Sequence, residues 1–267
     1  MGKHDVGRYV HMPGRYVVCF HVYLSPEAIY SPDTLASILN VFAEENIPVV
    51  HLVVSRPEQG RPGEAAFFTD LTDSLSDEAV AERLRGMGFV KDVKVIKPLF
   101  DGFTMDTLFY PLTIREERAV VFRKTMYEAF LRRLRERLGT SQMAVLYHIG
   151  LEVGYAIYGE LSRMTGGELD RIVMLGREYF KHSGLGVLEP ELNLARRRAI
   201  VRIYGCFECE LFKGLDRPAS QFVRGMVSGF MSGVFGEKMF AEEIRCIAKG
   251  DEYCEFHVKQ SKRIFLY

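Results

Sequence analysis

Apolar and polar positions change period several times along the chain, and each change predicts an element. Arg15 to Leu24 is rich in β-branched and aromatic residues and reads as a strand. Leu35, Ile38, Leu39 and Phe42 then recur at helical spacing behind Ser31-Pro32-Asp33-Thr34, a helix start with proline in its first turn. Strands are predicted over Pro48 to Ser55 and Ala65 to Leu71, divided by a Pro/Gly loop at Gly60 to Gly63. Ser76 caps a helix from Asp77 to Met87, stopped by Gly86 and Gly88, and a last strand covers Val90 to Lys97.

This β-α-β-β-α-β order is the split ferredoxin-like plan, and it predicts a small domain over residues 14–98 that closes at Pro98 and Gly102. Beyond it, Pro111 to Arg115 reads as extended. Helices are predicted from Val120 to Leu138, from Gln142 (capped by Ser141) to Met164, and from Glu168 to His182. Leu188 to Leu194 and Ala199 to Tyr204 follow as strands, then a helix from Pro218 to Phe235, then a hairpin of Met239 to Ala248 with Glu252 to Lys259. Helices first and antiparallel strands later give an α+β class throughout, with a second domain over residues 103–260.

Glycines repeat on two of these helices. Gly225, Gly229 and Gly233 share one face, as do Gly150 and Gly154. Each interior glycine costs about 1 kcal/mol against alanine, so the repeat needs a compensating gain. One reading is close backbone approach between helices. The other is space for a bound molecule, with Gly225, Gly229, Phe222, Met226 and Phe230 as candidate ligand contacts and Met231 and Phe235 nearby.

The final hairpin concentrates the candidate chemistry. With strands over Ile244 to Ala248 and Glu252 to Phe256 and a turn at Lys249-Gly250-Asp251, Cys246 and Cys254 are expected opposite each other, with Cβ atoms about 4.5–5.5 Å apart. That spacing suits two thiolates on one metal, or a disulfide. Glu243 lies three residues before Cys246, and Cys206-x2-Cys209 ends a neighbouring strand, so four of the five cysteines fall in this region. Cys19 is expected as a buried strand residue.

Charge narrows the partners. Thirty-five basic residues balance thirty-five acidic ones, which argues against nucleic acid, and the basic runs Arg132 to Arg137 and Arg196 to Arg198 read as solvated faces. Met1 to Pro13 lacks an apolar signal core, and the low-charge stretch Met226 to Phe235 is too short to span a bilayer. A cytoplasmic location is expected, without membrane partners, where clustered thiols hold metal more often than they form disulfides. No G-x-G-x-x-G follows a strand, no phosphate loop or G-x-S-x-G elbow occurs, and the histidines are scattered. His148 with Glu152 at i+4 reads as a helix-face pair. The sequence thus leans toward a binding protein over an enzyme.

The first segment resembles an ACT domain, which implies an amino-acid ligand or a dimerisation role. Its turn Tyr30 to Thr34 lacks the glycine usual in that family. Ser220-Gln-Phe222-Val-Arg-Gly225-Met-Val-Ser-Gly229, Glu243-Ile-Arg-Cys246 and Lys249-Gly250-Asp251-Glu-Tyr-Cys254-Glu-Phe256 together resemble the 4-vinyl reductase domain family. In its aromatic-sensing branch, that resemblance implies an apolar ligand pocket, a homodimer and a structural zinc held by three cysteines and a glutamate. Glu243, Cys246 and Cys254 fall on three of those positions, and Ser220 stands on the fourth. A serine hydroxyl is a poor zinc ligand beside thiolates. Three outcomes stay open: two reduced cysteines without metal, a zinc site rebuilt with Cys206 or Cys209, or a Cys246–Cys254 disulfide.

The expected function is a dimeric ligand-binding regulator or sensor for a small apolar or aromatic molecule. An enzyme or enzyme accessory of tetrapyrrole or aromatic metabolism is one alternative, and a non-catalytic scaffold is the other.

Overall fold

The computed structural model describes residues 5–55, 61–114 and 117–261, leaving out the side chains at 134, 138 and 140–142. The loop residues 56–60 and the side chain of the expected cap at 141 lie outside that description. The chain divides into two compact units, Met1–Val120 and Val121–Tyr267. Each is α+β.

In the first unit, β1 (Tyr9–His11) precedes β2 (Val17–Leu24), α1 (Pro32–Glu44), β3 (Val49–Val54), β4 (Gly63–Asp70), α2 (Asp77–Arg85), β5 (Val90–Ile96) and β6 (Phe103–Met105), with β7 (Thr113–Ile114) and β8 (Glu117–Arg118) forming a small hairpin. The four long strands form an antiparallel sheet in the order β3-β4-β2-β5, the predicted plan. Nearly every side chain of the inner strand β2 is buried, which requires cover on both faces. Phe20, Val22 and Phe67 pack under Ile38, Phe42, Val80 and Leu84 of the helices. Val17, Cys19 and Phe68 pack on the other face with Val10, Met12 and Phe109.

Two details differ from the sequence reading. Leu39 is exposed, and Thr34, Ile38 and Val41 carry the buried stripe of α1. Phe103–Met105, expected in the second domain, pairs with Tyr9–His11 in the first unit. That pairing gives the rear face of the sheet its cover. Ser76 caps α2 as predicted, its Oγ accepting from the Ala79 N–H.

The second unit begins with α3 (Lys124–Glu128), a π-helical turn (Ala129–Arg133) and α4 (Leu134–Leu138). The helix expected from Val120 therefore starts later, behind extended residues. Gly139, at φ 60°, breaks the chain into α5 (Thr140–Thr165), followed by α6 (Leu169–His182). Next come β9 (Val187–Asn193), β10 (Arg198–Tyr204), the short α7 (Phe207–Glu210), α8 (Phe222–Phe235), β11 (Met239–Arg245) and β12 (Cys254–Gln260). The strands form an antiparallel sheet in the order β11-β12-β10-β9. Val201, Ile203, Ala241, Phe256 and Val258 of the sheet pack with Val223, Val227 and Met231 of α8.

α8 starts at Phe222, four residues after the predicted Pro218. Its cap comes from outside the segment. The buried carboxylate of Glu208 accepts the N–H groups of Gln221, Phe222 and Val223 at 2.8, 3.1 and 2.8 Å. These are N–H groups that a helix start leaves without intrahelical partners, and a negative charge there also suits the helix dipole.

Candidate metal centre and apolar cavity

Met239, Ala241 and Glu243 alternate inward along β11. In a regular strand Arg245 would follow them. The ladder with β12 instead shifts between Glu243 and Arg245, and this bulge turns Arg245 outward and Cys246 inward. Glu243 and Cys246, three residues apart, thereby meet on one side. The Cys246 N–H donates to Asp251 Oδ2 at 2.8 Å, and a 3-10 turn (Ile247–Lys249) ends at Gly250, whose φ of 97° needs glycine. The β11–β12 ladder ends at Arg245 opposite Glu255, one position short of Cys246 and Cys254, so the two cysteines stand at the expected facing positions just past the last pair, and both sulfurs reach the same point.

Cys209 of α7 completes the group. The ligand atoms of Cys209, Glu243, Cys246 and Cys254 all lie within 4.8 Å of one another. Ligand atoms on one tetrahedral zinc at about 2.0–2.3 Å stand about 3.3–3.8 Å apart, so a modest contraction would close the shell. Cys209 Sγ is 3.7 Å from Glu243 Oε1, while Glu243 Oε2 accepts the Ser220 N–H at 3.0 Å. Ser220 thus orients the glutamate through its backbone, and its hydroxyl lies 3.2 Å from Glu208 Oε2. Cys206, the other sequence candidate, is buried beside the group but outside this set. All five cysteines are free thiols in this structure.

The electrostatics fit a cation. Burial, then the adjacent Cys246, pushes the Glu243 carboxyl up to about 9. Burial likewise raises Glu208 despite its amide donors. Hydrogen bonds from Cys209 and Cys254 lower the Cys206 thiol, and the reciprocal bonds to Cys206, Cys246 and Cys254 raise Cys209. Thiols and carboxyls crowd together, and among the described residues no Lys, Arg or His forms an ion pair with Glu208 or Glu243. A divalent ion would supply the missing positive charge.

The glycine rows serve helix contact. A Cβ on Gly225 would collide with the carbonyl oxygen of Tyr147, and one on Gly229 with that of Leu151. Gly150 and Gly154 face Phe222 and Met226 in the same way. Gly225 and Gly229 are therefore packing residues and not ligand contacts. Phe222 packs edge-on against Phe207. The other two candidates, Met226 and Phe230, line an apolar cavity of about 60 Å³ with Ile157, Val173, Leu188 and Met231. The sequence reading missed the α6 wall, where Val173 and Gly176 face the α8 side chains across the cavity. The polar side chains of the lining are Arg177, Tyr179 and Ser183. His148, Glu152 and Cys19 stand apart from both sites, and burial raises the Cys19 thiol.

Residues 199–260 match the 4-vinyl reductase domain, and residues 34–88 match the ACT domain. An uncharacterized protein of Methanocaldococcus jannaschii is 27% identical over 122 residues, covering 46% of this chain and 67% of that relative. Another from the same organism is 24% identical over 130 residues, covering 47% and 70%. Among solved structures, the phenol-responsive sensory domain of the transcription activator PoxR with phenol is 17% identical at a TM-score of 0.49, covering 54% of this chain and 78% of that one. A vinyl-4-reductase family protein from M. jannaschii is 15% identical at a TM-score of 0.40, covering 54% and 85%.

Proposed function

We propose that this chain, which carries an ACT domain followed by a 4-vinyl reductase domain, is a cytoplasmic regulatory protein that binds a small apolar molecule in its second unit and responds as a homodimer. The observation that carries the reading is the apolar cavity between α5, α6, α8 and the sheet. At about 60 Å³ it exceeds the about 10–15 Å³ that one water needs, and falls below the about 150 Å³ at which an apolar cavity takes up benzene. An aromatic ligand would therefore enter by displacing walls, and the flexible thioethers of Met226 and Met231 are suited to yield. Such a change of packing favours one arrangement of α6 and α8 over another, which is how a ligand shifts a population.

The cluster of Cys209, Glu243, Cys246 and Cys254 would hold a structural zinc that ties α7 to the β11–β12 hairpin. Exposed Phe122, Met126, Phe130, Val145 and Ile149 offer apolar surface for the dimer. No helix among the described residues is long and apolar enough to cross a membrane. In the ACT domain, the hydroxyl of Thr34 is held by the Ala28 carbonyl at 2.6 Å within the turn where an amino acid would approach.

The chain has no tryptophan, so methionine-methyl NMR is the direct test. Phenol and toluene are expected to shift the Met226 and Met231 methyls saturably, and Val173→Phe, which fills the cavity, to abolish the response. Shifts spread evenly over exposed Met164 and Met174, or none at the solubility limit, would refute the reading.

A further inference from the structure

The turn between β9 and β10 carries Arg196 and Arg197, Arg198 opens β10, and together they form one wall of a cleft of about 950 Å³ in the second unit. Arg224, Glu237, Phe240 and Lys259 supply other walls. Two of the cations are matched: Arg197 pairs with Glu237 Oε2 at 2.9 Å, and Lys259 with Glu242 at 2.6 Å. Among the described residues, no carboxylate pairs with Arg196, Arg198 or Arg224. The Arg224 guanidinium lies over the rings of Tyr147 and Phe240, 4.9 and 5.5 Å from their centroids, and bonds Gln221 Oε1 at 2.7 Å.

Two atoms of this lining stand out. Arg224 Nε and Glu237 Oε1 are both buried, and neither has a hydrogen-bond partner. A buried polar atom left unpaired costs about 1–3 kcal/mol, so this wall gains if its side chains move to let a guest reach the covered donor and acceptor.

We propose that this cleft binds a small organic phosphate that also carries a hydrogen-bond donor. Its phosphate oxygens would lie among Arg196, Arg198 and Arg224, and its donor against Glu237. Several unmatched guanidiniums suit a dianion better than a monoanion, and the arginine fork presents parallel N–H groups to phosphate oxygens. The cleft is larger than a phosphate ion alone, leaving room for an organic group. It shares no lining residue with the apolar cavity, so it stands whether or not that cavity binds a ligand.

The test is calorimetric titration of the full chain at low salt with O-phosphoserine, serine and inorganic phosphate. Phosphoserine is expected to bind saturably and serine not to bind. Arg198 is exposed at the start of β10, so Arg198→Ala should leave the thermal melt unchanged while weakening phosphoserine about tenfold. Arg224→Lys keeps the charge but removes Nε and should weaken both phosphates. Glu237→Gln should weaken phosphoserine and spare inorganic phosphate. The proposal is overturned if neither phosphate binds, if serine binds as well as phosphoserine, or if Arg198→Ala and Arg224→Lys leave binding unchanged.

Discussion

The α5–α8 contact makes a sharp prediction at Gly229. A Cβ there would collide with the Leu151 carbonyl oxygen and stand 2.9 Å from the Tyr155 nitrogen. Both are backbone atoms of one helical turn, so no rotamer change relieves the clash, and the helices must separate by about 1 Å to restore contact distance. Overpacking a dense interior costs about 1–3 kcal/mol, and the upper end applies where backbone opposes backbone. Alanine returns about 1 kcal/mol of helix propensity. Gly229→Ala should therefore destabilise the second unit by about 2 kcal/mol, lowering its melting temperature by about 4–8 °C. Gly159 lies in the same contact partner, α5, but its added Cβ meets only the far end of Arg163 at 3.8 Å. Gly159→Ala should raise the melt by about 2–4 °C. Scanning calorimetry of the full chain reads the transitions of both units. If Gly229→Ala melts at or above the parent, or if Gly159→Ala falls as far, the close-approach explanation is wrong.

Two further predictions concern the buried charges. Protein purified without added zinc should carry about one zinc per chain, Cys209→Ser should lose it, and Ser220→Cys in that background should recover it; a ratio near zero after reconstitution, or full zinc in Cys209→Ser, would sink the rebuilt site. In the first unit, burial raises the Asp106 carboxyl, but the hydrogen bonds from His21 and the Leu108 amide, with the charge of Arg8, more than offset it, so its pKa is lowered. Its contribution is thus present above the ordinary aspartate value and lost as pH falls through the lower folded value, so Asp106→Asn should flatten the loss of stability below about pH 4. Removing one partner of such a buried pair costs about 3–5 kcal/mol, which a urea melt at neutral pH would register; an unchanged melt would refute the role.

The first unit was legible because its evidence is local. Strand and helix periods, the Ser76 cap and the glycine stops all lie inside the segments they define. The start of α8 was not legible for the opposite reason. Pro218 carries a local start signal, but Glu208 supplies a stronger one from ten residues earlier, its carboxylate reaching the α8 amides from α7. Leu39 misled in a similar way, since helical spacing fixes a stripe only to within a residue or so, and the sheet below selects Thr34, Ile38 and Val41.

At the two candidate sites, the sequence identified the residue types but not their division of labour. It paired Cys246 with Cys254 across a regular hairpin, whereas they face each other only because the bulge after Glu243 shifts the ladder by one residue, to Arg245 opposite Glu255. It left Cys206 and Cys209 equivalent because C-x2-C spacing does not say which sulfur turns toward Glu243. α7 decides this by placing Cys206 at its N-cap and Cys209 inside the turn. On α8, the glycine row and the Met226–Phe230 row are one residue apart, about 100° around the helix, and so face different neighbours. The glycines admit the α5 backbone, and that approach places Gly154 and Ile157 against the Met226–Phe230 row as cavity walls. Packing and ligand space, which the sequence posed as alternatives, are therefore consecutive consequences of the same repeat.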